Sequence, residues 1–325
     1  MPKAPHVPQP GIWCPAVTFI NPETDELDLD AQKKYFRYLA GTGLRGLVLQ
    51  GSNSEAFLLT RDERKQLVAA AREAVGPDFP LMVGAGAHST KQTLELIQDA
   101  ANLGADYALV LPAAYYGKAT TVPVVKRFFS EVAERSPLPI VIYNFPGVCN
   151  GVDLDSETMV DIYKDSASKS STSTSNVVGV KLTCASVGKI TRLAASFPAP
   201  SSKFAVFGGQ ADFLVGGLAA GSAGCIAAFA NAFPKTTVRI FQLYHEGRLQ
   251  EAMELHRKAA LAESPIKAGI TGTKYATAVY SAQLAGIENA EEKLIPRSPY
   301  QEAGEPVKKA IRENMAEVGE IEKTL

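Results

Sequence analysis

Lys181 is the residue of this sequence whose type and position best suit covalent chemistry. It comes near the end of the apolar run NVVGVKL, where loss of water penalises the charged ammonium and favours the neutral amine. A neutral amine can attack a ketone and form a Schiff base, the imine through which electrons are withdrawn from a neighbouring carbon. A lysine at the end of a strand can also reach solvent or pair with a carboxylate, and both of these roles stay open at this point.

Polar residues lie at the end of one other apolar run and shortly after another. Tyr143 ends the run Ile140–Tyr143, and its phenol could relay the protons that imine chemistry moves at several steps. The alternative is a core tyrosine whose hydroxyl has an ordinary partner. Ser52 and Asn53 lie in a turn that starts with Gly51, where backbone N–H groups could hold a substrate carboxylate. The same residue types are also common in turns that bind nothing.

The elements that must position these residues are short apolar runs at fairly even intervals. Most have four to six residues without alternation, which is typical of strands buried on both faces of a parallel sheet. The runs are Ile12–Ile20, Gly46–Gln50, Leu81–Gly84, Tyr107–Leu111, Ile140–Tyr143, Val177–Leu182, Phe204–Phe207 and Cys225–Phe229.

Amphipathic stretches fill most gaps between the runs and carry helix start signals. Thr60-x-x-Glu63 and Ser89-x-x-Gln92 are capping boxes, in which two backbone N–H groups gain side-chain partners. Strands alternating with helices indicate βα units, and eight of them close naturally into a (β/α)8 TIM barrel. A doubly wound sheet of six or seven strands is the alternative, although no GxGxxG follows the first strand.

Beyond about residue 233 the pattern becomes helical. We therefore predict a barrel over residues 1–235 and a C-terminal helical region, packed on the barrel, over residues 236–325. Its last stretch, residues 305–325, is predicted to form one closing helix. The Ser/Thr-rich stretch 167–175 is predicted to form a surface loop before the sixth strand.

Composition excludes several function classes. Lys and Arg number 33 and Asp and Glu 34, so the net charge is −1, and no basic block favours nucleic acid or an anionic membrane. No apolar run approaches the roughly 18 residues of a membrane span.

The cysteines form no CxxC pair and the histidines no HExxH pattern, so no metal site is predicted. Residues 1–11 lack a signal core, which favours the cytoplasm.

Four motifs carry a resemblance to a known family. GSNSEAFLLTRDER, the pair Tyr115-Tyr116, the tetrapeptide YNFP and the single lysine of the sixth strand occur in this order. The chain thereby resembles the dihydrodipicolinate synthase / N-acetylneuraminate lyase family, from about Gly11 through the C-terminal helices. The resemblance implies a Schiff-base TIM barrel that acts on pyruvate or other 2-keto acids, without a metal or organic cofactor.

The resemblance also implies roles for particular residues. Lys181 would form the imine with the 2-keto carbon, and Tyr143 would be the general acid and base. Ser52 would link Tyr143 to Tyr116 in a proton relay, with Tyr116 donated by a neighbouring subunit of a homotetramer or dimer. This relay therefore requires a homo-oligomer.

The same resemblance implies how the substrate is held. The backbone of Ser52 and Asn53 would bind the pyruvate carboxylate. Gly208 and Ile226, at the ends of the seventh and eighth strands, would line the pocket. No other partner is implied.

Three positions depart from the family pattern. Ser54 replaces the usual glycine before the glutamate, so the turn is expected to be reshaped. Leu182 follows the lysine, where relatives often have an acid. Dihydrodipicolinate synthases carry an arginine two residues after the YNVP proline, which grips the carboxylate of aspartate semialdehyde. Here the uncharged stretch GVCN follows Pro146 and cannot supply that bidentate contact.

These departures rank the possible activities. QGSNSEAFLLTRDER, YALVLPAAYYGK and the neutral residues after YNFP are most similar to 4-hydroxy-2-oxoglutarate aldolases, with 2-keto-3-deoxy-sugar-acid aldolases as close rivals. Both reactions cleave a 4-hydroxy-2-keto acid to pyruvate and an aldehyde. The first alternative is condensation of pyruvate with aspartate semialdehyde. The second is a barrel that binds 2-keto acids without turnover.

Overall fold

Eight parallel strands form a closed barrel in which the strand order follows the chain. The computed structural model describes residues 5–198 and 203–325, so the first four residues of the N-terminal segment used for the location prediction lie outside it. The predicted (β/α)8 barrel is confirmed, and the doubly wound alternative is wrong. The strands are β1 (Gly11–Pro15), β2 (Gly46–Leu49), β3 (Leu81–Gly84), β4 (Tyr107–Val110), β5 (Ile140–Asn144), β6 (Val177–Leu182), β7 (Ala205–Gly208) and β8 (Gly224–Ile226).

Helices follow the strands and extend to the C-terminus. Both predicted helix starts are confirmed. Thr60 and Glu63 form a complete capping box, in which the Thr60 hydroxyl accepts from Glu63 N at 3.3 Å and Glu63 accepts from Thr60 N at 2.7 Å. The Ser89 hydroxyl caps its helix by accepting from Gln92 N at 3.2 Å, but the Gln92 side chain accepts from that hydroxyl, so this capping box is incomplete. Within the described ranges every helix falls short of what a membrane span requires. The helices are α1 (Leu29–Ala40), α2 (Arg61–Val75), α3 (Thr90–Asn102), α4 (Val122–Arg135), α5 (Ser156–Lys169), α6 (Val187–Ser196), α7 (Leu214–Ala219), α8 (Pro234–His245), α9 (Leu249–Glu263), α10 (Ile270–Thr277), α11 (Ala290–Lys293), α12 (Glu305–Asn314) and α13 (Ala316–Thr324).

The run Ile12–Ile20 forms a strand only as far as Pro15. The reason is the buried side chain of Asn231. Its Nδ2 donates to Pro15 O at 3.0 Å, and its Oδ1 accepts from Val17 N at 3.1 Å. A side-chain amide therefore takes the backbone groups that a longer strand would offer to a neighbouring strand.

Two other predicted elements were wrong in extent. The single closing helix over residues 305–325 is two helices that meet at the buried Met315. The predicted loop 167–175 starts later, because α5 continues through Lys169. Ser175, at the other end of that stretch, is buried, and its hydroxyl bonds to the backbone of Val177 at the start of β6.

The chain forms two compact units. The first comprises Met1–Pro10, Leu81–Gly209 and Gly216–Cys225. In this unit β3 to β7 pair in parallel, and every residue of each strand is buried. Their apolar side chains make the core that supports the residues at the strand ends.

The second unit comprises Gly11–Pro80, Gln210–Val215 and Ile226–Leu325. It contains β1 and β2, which pair in parallel, and the helices from α8 onward. Large buried aromatic side chains fill its core: Trp13, Phe19, Tyr35, Phe36, Phe229 and Phe233. The predicted boundary at residue 235 between barrel and helical region stays a prediction.

Candidate active site

The structure brings Lys181 and Tyr143 together in the first unit. They are register partners on β6 and β5, and Lys181 Nζ donates to the Tyr143 hydroxyl at 3.2 Å. The lysine is 2 % exposed and the tyrosine 3 %. Burial excludes a lysine that reaches solvent, and in the described part of the chain Lys181 has no ion-pair partner. Within residues 5–198 and 203–325, Lys181 therefore neither reaches solvent nor pairs with a carboxylate, which were its two alternative roles.

Gly208 lies beside the lysine strand, at the end of β7. Its register partner is Leu182, the residue that follows Lys181. The next residue, Gly209, must lack a Cβ, because a Cβ there would lie 2.2 Å from Thr183 Oγ1. The strand ends thus approach closely just beyond the lysine.

Thr183 is a candidate that the sequence reasoning missed. It comes two residues after Lys181, just past the end of β6. Its hydroxyl oxygen is buried and has no hydrogen-bond partner among the described residues. Because a buried hydroxyl usually has a partner, one without a partner beside the lysine strand is a candidate substrate contact. The sequence signal was the polar residue two positions beyond the lysine.

Asn144 holds the segment that follows Tyr143. Its Nδ2 donates to Asp153 Oδ1 at 2.8 Å, and its Oδ1 accepts from Leu154 N at 3.0 Å. Lys189 donates to the same carboxylate oxygen of Asp153. This network ties the end of β5 to the end of the loop after it, and so fixes the backbone from which Tyr143 projects. The only sequence signal for this network was the side-chain amide of Asn144 at the end of an apolar strand.

The segment after YNFP forms a 3-10 turn over Pro146–Val148. Val148, two residues after the proline, is an exposed valine. Asn150 adopts the left-handed conformation with φ 49° and donates its Nδ2 to Ala114 O at 2.7 Å. This turn therefore presents an apolar side chain at the position where the resemblance places the arginine of dihydrodipicolinate synthases.

In the second unit, Ser52 and Asn53 lie in a 3-10 turn over Ser52–Ser54 that follows β2. The next residue, Glu55, is buried and forms an ion pair with the buried Lys274, Nζ to Oε2 at 2.5 Å. Burial lowers the pKa of Lys274, and the Glu55 carboxylate opposes this effect. The turn is thus anchored by a charged pair that has lost contact with water.

The remaining predicted residues lie in different surroundings. Ile226 ends β8 and is fully buried. Tyr116 is 77 % exposed, and its ring packs edge-on against Tyr115 with 5.2 Å between centroids. The relay through Ser52 and Tyr116 and the carboxylate contacts stay predictions.

No cluster of three or more His, Cys, Asp or Glu residues within residues 5–198 and 203–325 could hold a metal ion. The Cys149 thiol, close to the β5 end, is buried, and burial raises its pKa to about 11. That thiol is therefore protonated at neutral pH and is a poor nucleophile. The prediction that the reaction needs no metal or organic cofactor stays a prediction.

Comparison with known proteins gives a consistent result. The model of the dihydrodipicolinate synthetase family matches residues 10–317. A Coccidioides immitis protein, provisionally named as a mitochondrial 4-hydroxy-2-oxoglutarate aldolase, is 64 % identical over 318 residues, which is 98 % of each chain. An L-threo-3-deoxy-hexylosonate aldolase of Hypocrea jecorina is 36 % identical and covers 97 % of this chain and 98 % of its own.

A solved structure extends this similarity to the whole fold. A Coccidioides immitis protein, provisionally assigned to the dihydrodipicolinate synthase family, superposes with a TM-score of 0.89. The two chains are 61 % identical, and the match covers 99 % of each.

Proposed function

Because the chain belongs to the dihydrodipicolinate synthetase family, we propose that it is a class I aldolase that cleaves a 4-hydroxy-2-keto acid to pyruvate and an aldehyde. The single observation that carries this proposal is the buried Lys181 amine, 3.2 Å from the Tyr143 hydroxyl. The names of the aldolase relatives support the direction of cleavage. The enzyme is thus a carbon–carbon lyase.

The reaction begins with imine formation. The amine of Lys181 attacks C2 of the keto acid through its nitrogen lone pair, and the carbinolamine loses its hydroxyl as water. Tyr143 supplies the proton for this water, since its hydroxyl already contacts Nζ. The product is an iminium whose positive nitrogen can accept an electron pair.

Cleavage uses the same two residues. Tyr143, now a phenolate, takes the proton of the C4 hydroxyl while the C3–C4 bond breaks. The electron pair of that bond moves into the iminium and gives an enamine, and the C4 fragment leaves as an aldehyde. Tyr143 then returns this proton to C3 of the enamine, and water adds to C2 of the resulting iminium, which releases pyruvate and the free lysine amine. The lysine imine serves as the electron sink, so the proposed step uses no metal or organic cofactor.

The proposed substrate is 4-hydroxy-2-oxoglutarate or a 2-keto-3-deoxy-sugar acid. The backbone of Ser52 and Asn53 would hold the keto-acid carboxylate, and Gly208 and Ile226 would line the pocket. The free hydroxyl of Thr183 would meet a hydroxyl of the substrate. The exposed Val148 argues against the synthase reaction, because an apolar side chain cannot bind the carboxylate of aspartate semialdehyde.

We further propose a homo-oligomer, a tetramer or a dimer, in which Tyr116 reaches a neighbouring active site. The exposed aromatic pair Tyr115-Tyr116 supports an interface there, since large apolar side chains gain from being covered. A cytoplasmic location stays the prediction from the sequence, although the Coccidioides immitis aldolase relative is named mitochondrial. Fractionation of cells that express the tagged full chain tests the location.

Reductive trapping tests the chemistry. Borohydride is added to the protein with pyruvate, and the digested protein is mapped by mass spectrometry. We expect a mass increase only on the peptide that contains Lys181, and none in Lys181→Ala. Lys274 is the internal control, because it is also a buried lysine but is paired with Glu55.

Substrate assays then separate the activities. Pyruvate release is measured with 4-hydroxy-2-oxoglutarate and with 3-deoxy-hexulosonates, and aspartate semialdehyde with pyruvate is tested beside them. We expect turnover with at least one 4-hydroxy-2-keto acid. Turnover only with aspartate semialdehyde would assign the synthase reaction instead. An adduct without any turnover would indicate a barrel that binds 2-keto acids without catalysis. The absence of any adduct would refute the hypothesis of a Lys181 imine.

A further inference from the structure

The side chain of Ser54 makes two hydrogen bonds. The glycine that relatives usually have at this position has no side chain and could make neither of them. The Ser54 hydroxyl donates to Ala16 O at 2.5 Å and accepts from Gln50 N at 3.0 Å. The residue is 3 % exposed, so water does not compete for these bonds. One hydroxyl thus connects the segment after β1 with the end of β2.

The turn that contains Ser54 lies between two residues in a costly backbone conformation. Gln50 has φ 56° and Glu55 has φ 53°, in the left-handed region that side chains disfavour. Each is held by its own side chain. Gln50 Nε2 donates to Arg64 O at 2.5 Å, and Glu55 accepts from Lys274 Nζ and from Arg297 N. Such a conformation persists only where the surroundings enforce it.

The backbone of Ser54 is held as firmly as its side chain. Ser54 O accepts from the Thr18 hydroxyl at 2.9 Å, and Ser54 N donates to Gly51 O at 3.1 Å. Ser52 and Asn53 come directly before it in the same 3-10 turn. Their N–H directions therefore depend on where Ser54 is held, and removal of the hydroxyl leaves only the backbone bonds to hold it.

We propose that Ser54 is a positioning residue whose hydroxyl orients the Ser52 and Asn53 backbone toward the carboxylate of the 2-keto acid. Ser54 then sets the affinity for the carboxylate and leaves the bond-breaking step to Lys181 and Tyr143. This proposal rests on the proposed function, because it needs a keto acid bound at that turn. By this proposal, serine in place of the usual glycine at position 54 changes the affinity for the substrate.

The test uses Ser54→Gly and Ser54→Ala. The first installs the residue that relatives usually have, and the second removes only the hydroxyl, so backbone freedom and hydrogen bonding are separated. Borohydride trapping on Lys181 is measured against pyruvate concentration. We expect the half-saturating concentration to rise about tenfold in both variants, the factor that one ordinary hydrogen bond supplies. For the cleavage reaction we expect KM to rise about tenfold and kcat to stay within about twofold.

Acetone distinguishes carboxylate binding from a general disturbance of the site. It forms an imine with the same lysine but has no carboxylate for the turn to hold. Trapping with acetone is therefore expected to have the same concentration dependence in wild type and in both Ser54 variants. A change with acetone equal to the change with pyruvate would overturn the proposal.

Ser175→Ala is the matched control. Its buried hydroxyl also donates one bond and accepts one, at 3.1 Å and 3.0 Å with Val177, at the end of β6 opposite Lys181. Ser175→Ala and Ser54→Ala are expected to lower the melting temperature by similar amounts, whereas only Ser54→Ala weakens pyruvate binding. An equal loss of pyruvate binding in Ser175→Ala would contradict the proposal.

The result also separates this proposal from the proposed function. If wild type forms no adduct with pyruvate, the proposed function fails and this proposal fails with it. If wild type forms the adduct and the half-saturating concentration is unchanged in both Ser54 variants, only the positioning role is lost.

Discussion

Lys181 Nζ lies 3.2 Å from the hydroxyl oxygen of Tyr143 and 4.2 Å from the centre of the same ring. The amine therefore contacts the tyrosine through both its polar edge and its π face. The two residues come from adjacent strands at the same register position, so the barrel itself sets their separation. A proton can therefore pass directly between the proposed nucleophile and the proposed general acid, without a mobile loop in between.

Tyr143→Phe tests this contact. Loss of the hydroxyl is expected to lower kcat by about 10²- to 10⁴-fold, the usual contribution of one general acid and base. Trapping with borohydride still labels Lys181, but more slowly. Stopped assays of pyruvate release and timed trapping measure the two effects. Tyr163→Phe is the control, since Tyr163 packs edge-on against Phe197 and Phe204 and takes no part in the proposed chemistry. Equal activity of both variants would refute the role of Tyr143.

Tyr116 tests whether a second subunit completes the site. Tyr116→Phe alone and Lys181→Ala alone are each expected to lose activity. Co-expression of the two variants is expected to restore part of it, because a Tyr116→Phe subunit keeps its lysine and receives Tyr116 from its neighbour. Activity and mass by light scattering are measured on the same purified sample. An inactive mixture that is shown to contain both chains would place Tyr116 in its own subunit's site or outside any site.

Burial of Glu263 is expected to make the free energy of unfolding depend on pH. Glu263 is 2 % exposed and accepts from the N–H groups of Ala211 and Asp212 at 3.0 and 2.6 Å, so it holds the segment that follows β7. Burial raises the pKa of Glu263 to about 7. Between pH 4.5 and 7 the folded state therefore binds more protons than the unfolded state, and the free energy of unfolding falls as pH rises. The loss across this window is on the order of 3 kcal/mol.

The measurement compares wild type with Glu263→Gln by urea unfolding from pH 4.5 to pH 8. The difference in unfolding free energy between them is expected to fall with pH up to about 7 and then to stay level. A difference curve is needed because burial lowers the pKa of the neighbouring His256, which acts with the opposite sign. Asp212 and Lys267, paired with each other, also face this segment. A difference that is constant with pH would exclude the effect of Glu263.

The buried pair Glu55–Lys274 is expected to be costly to break. Glu55→Gln leaves the buried ammonium of Lys274 without its counter-charge. Lys274→Met likewise leaves the buried carboxylate of Glu55 without its counter-charge. Each change is expected to lower the free energy of unfolding by about 3–5 kcal/mol. Glu55→Gln combined with Lys274→Met is expected to cost less than the sum of the two single changes, because no lone charge remains. Chemical unfolding of the four proteins measures this coupling, and strict additivity would contradict it.

Much of the fold was predictable because its signals are local. Apolar runs without alternation marked the buried strands, and the Thr60 and Ser89 caps marked two helix starts. The lysine and tyrosine were identifiable because each is a polar residue at the end of an apolar run. The extent of the first strand could not be predicted, because it depends on a distant partner. Pro15 ends its strand because of Asn231, which lies 216 residues further along the chain.

The sequence by itself determined the barrel, the order of its elements and the two residues that carry the proposed chemistry. Only the tertiary structure decided that Ser54 bonds to Ala16, that Glu263 holds Ala211 and that Glu55 pairs with Lys274. Apolar periodicity and helix caps act over a few residues and can be read from neighbours in the chain. A buried hydrogen bond or ion pair takes whichever partner packing brings within about 3 Å, and for Glu55 that partner is 219 residues away.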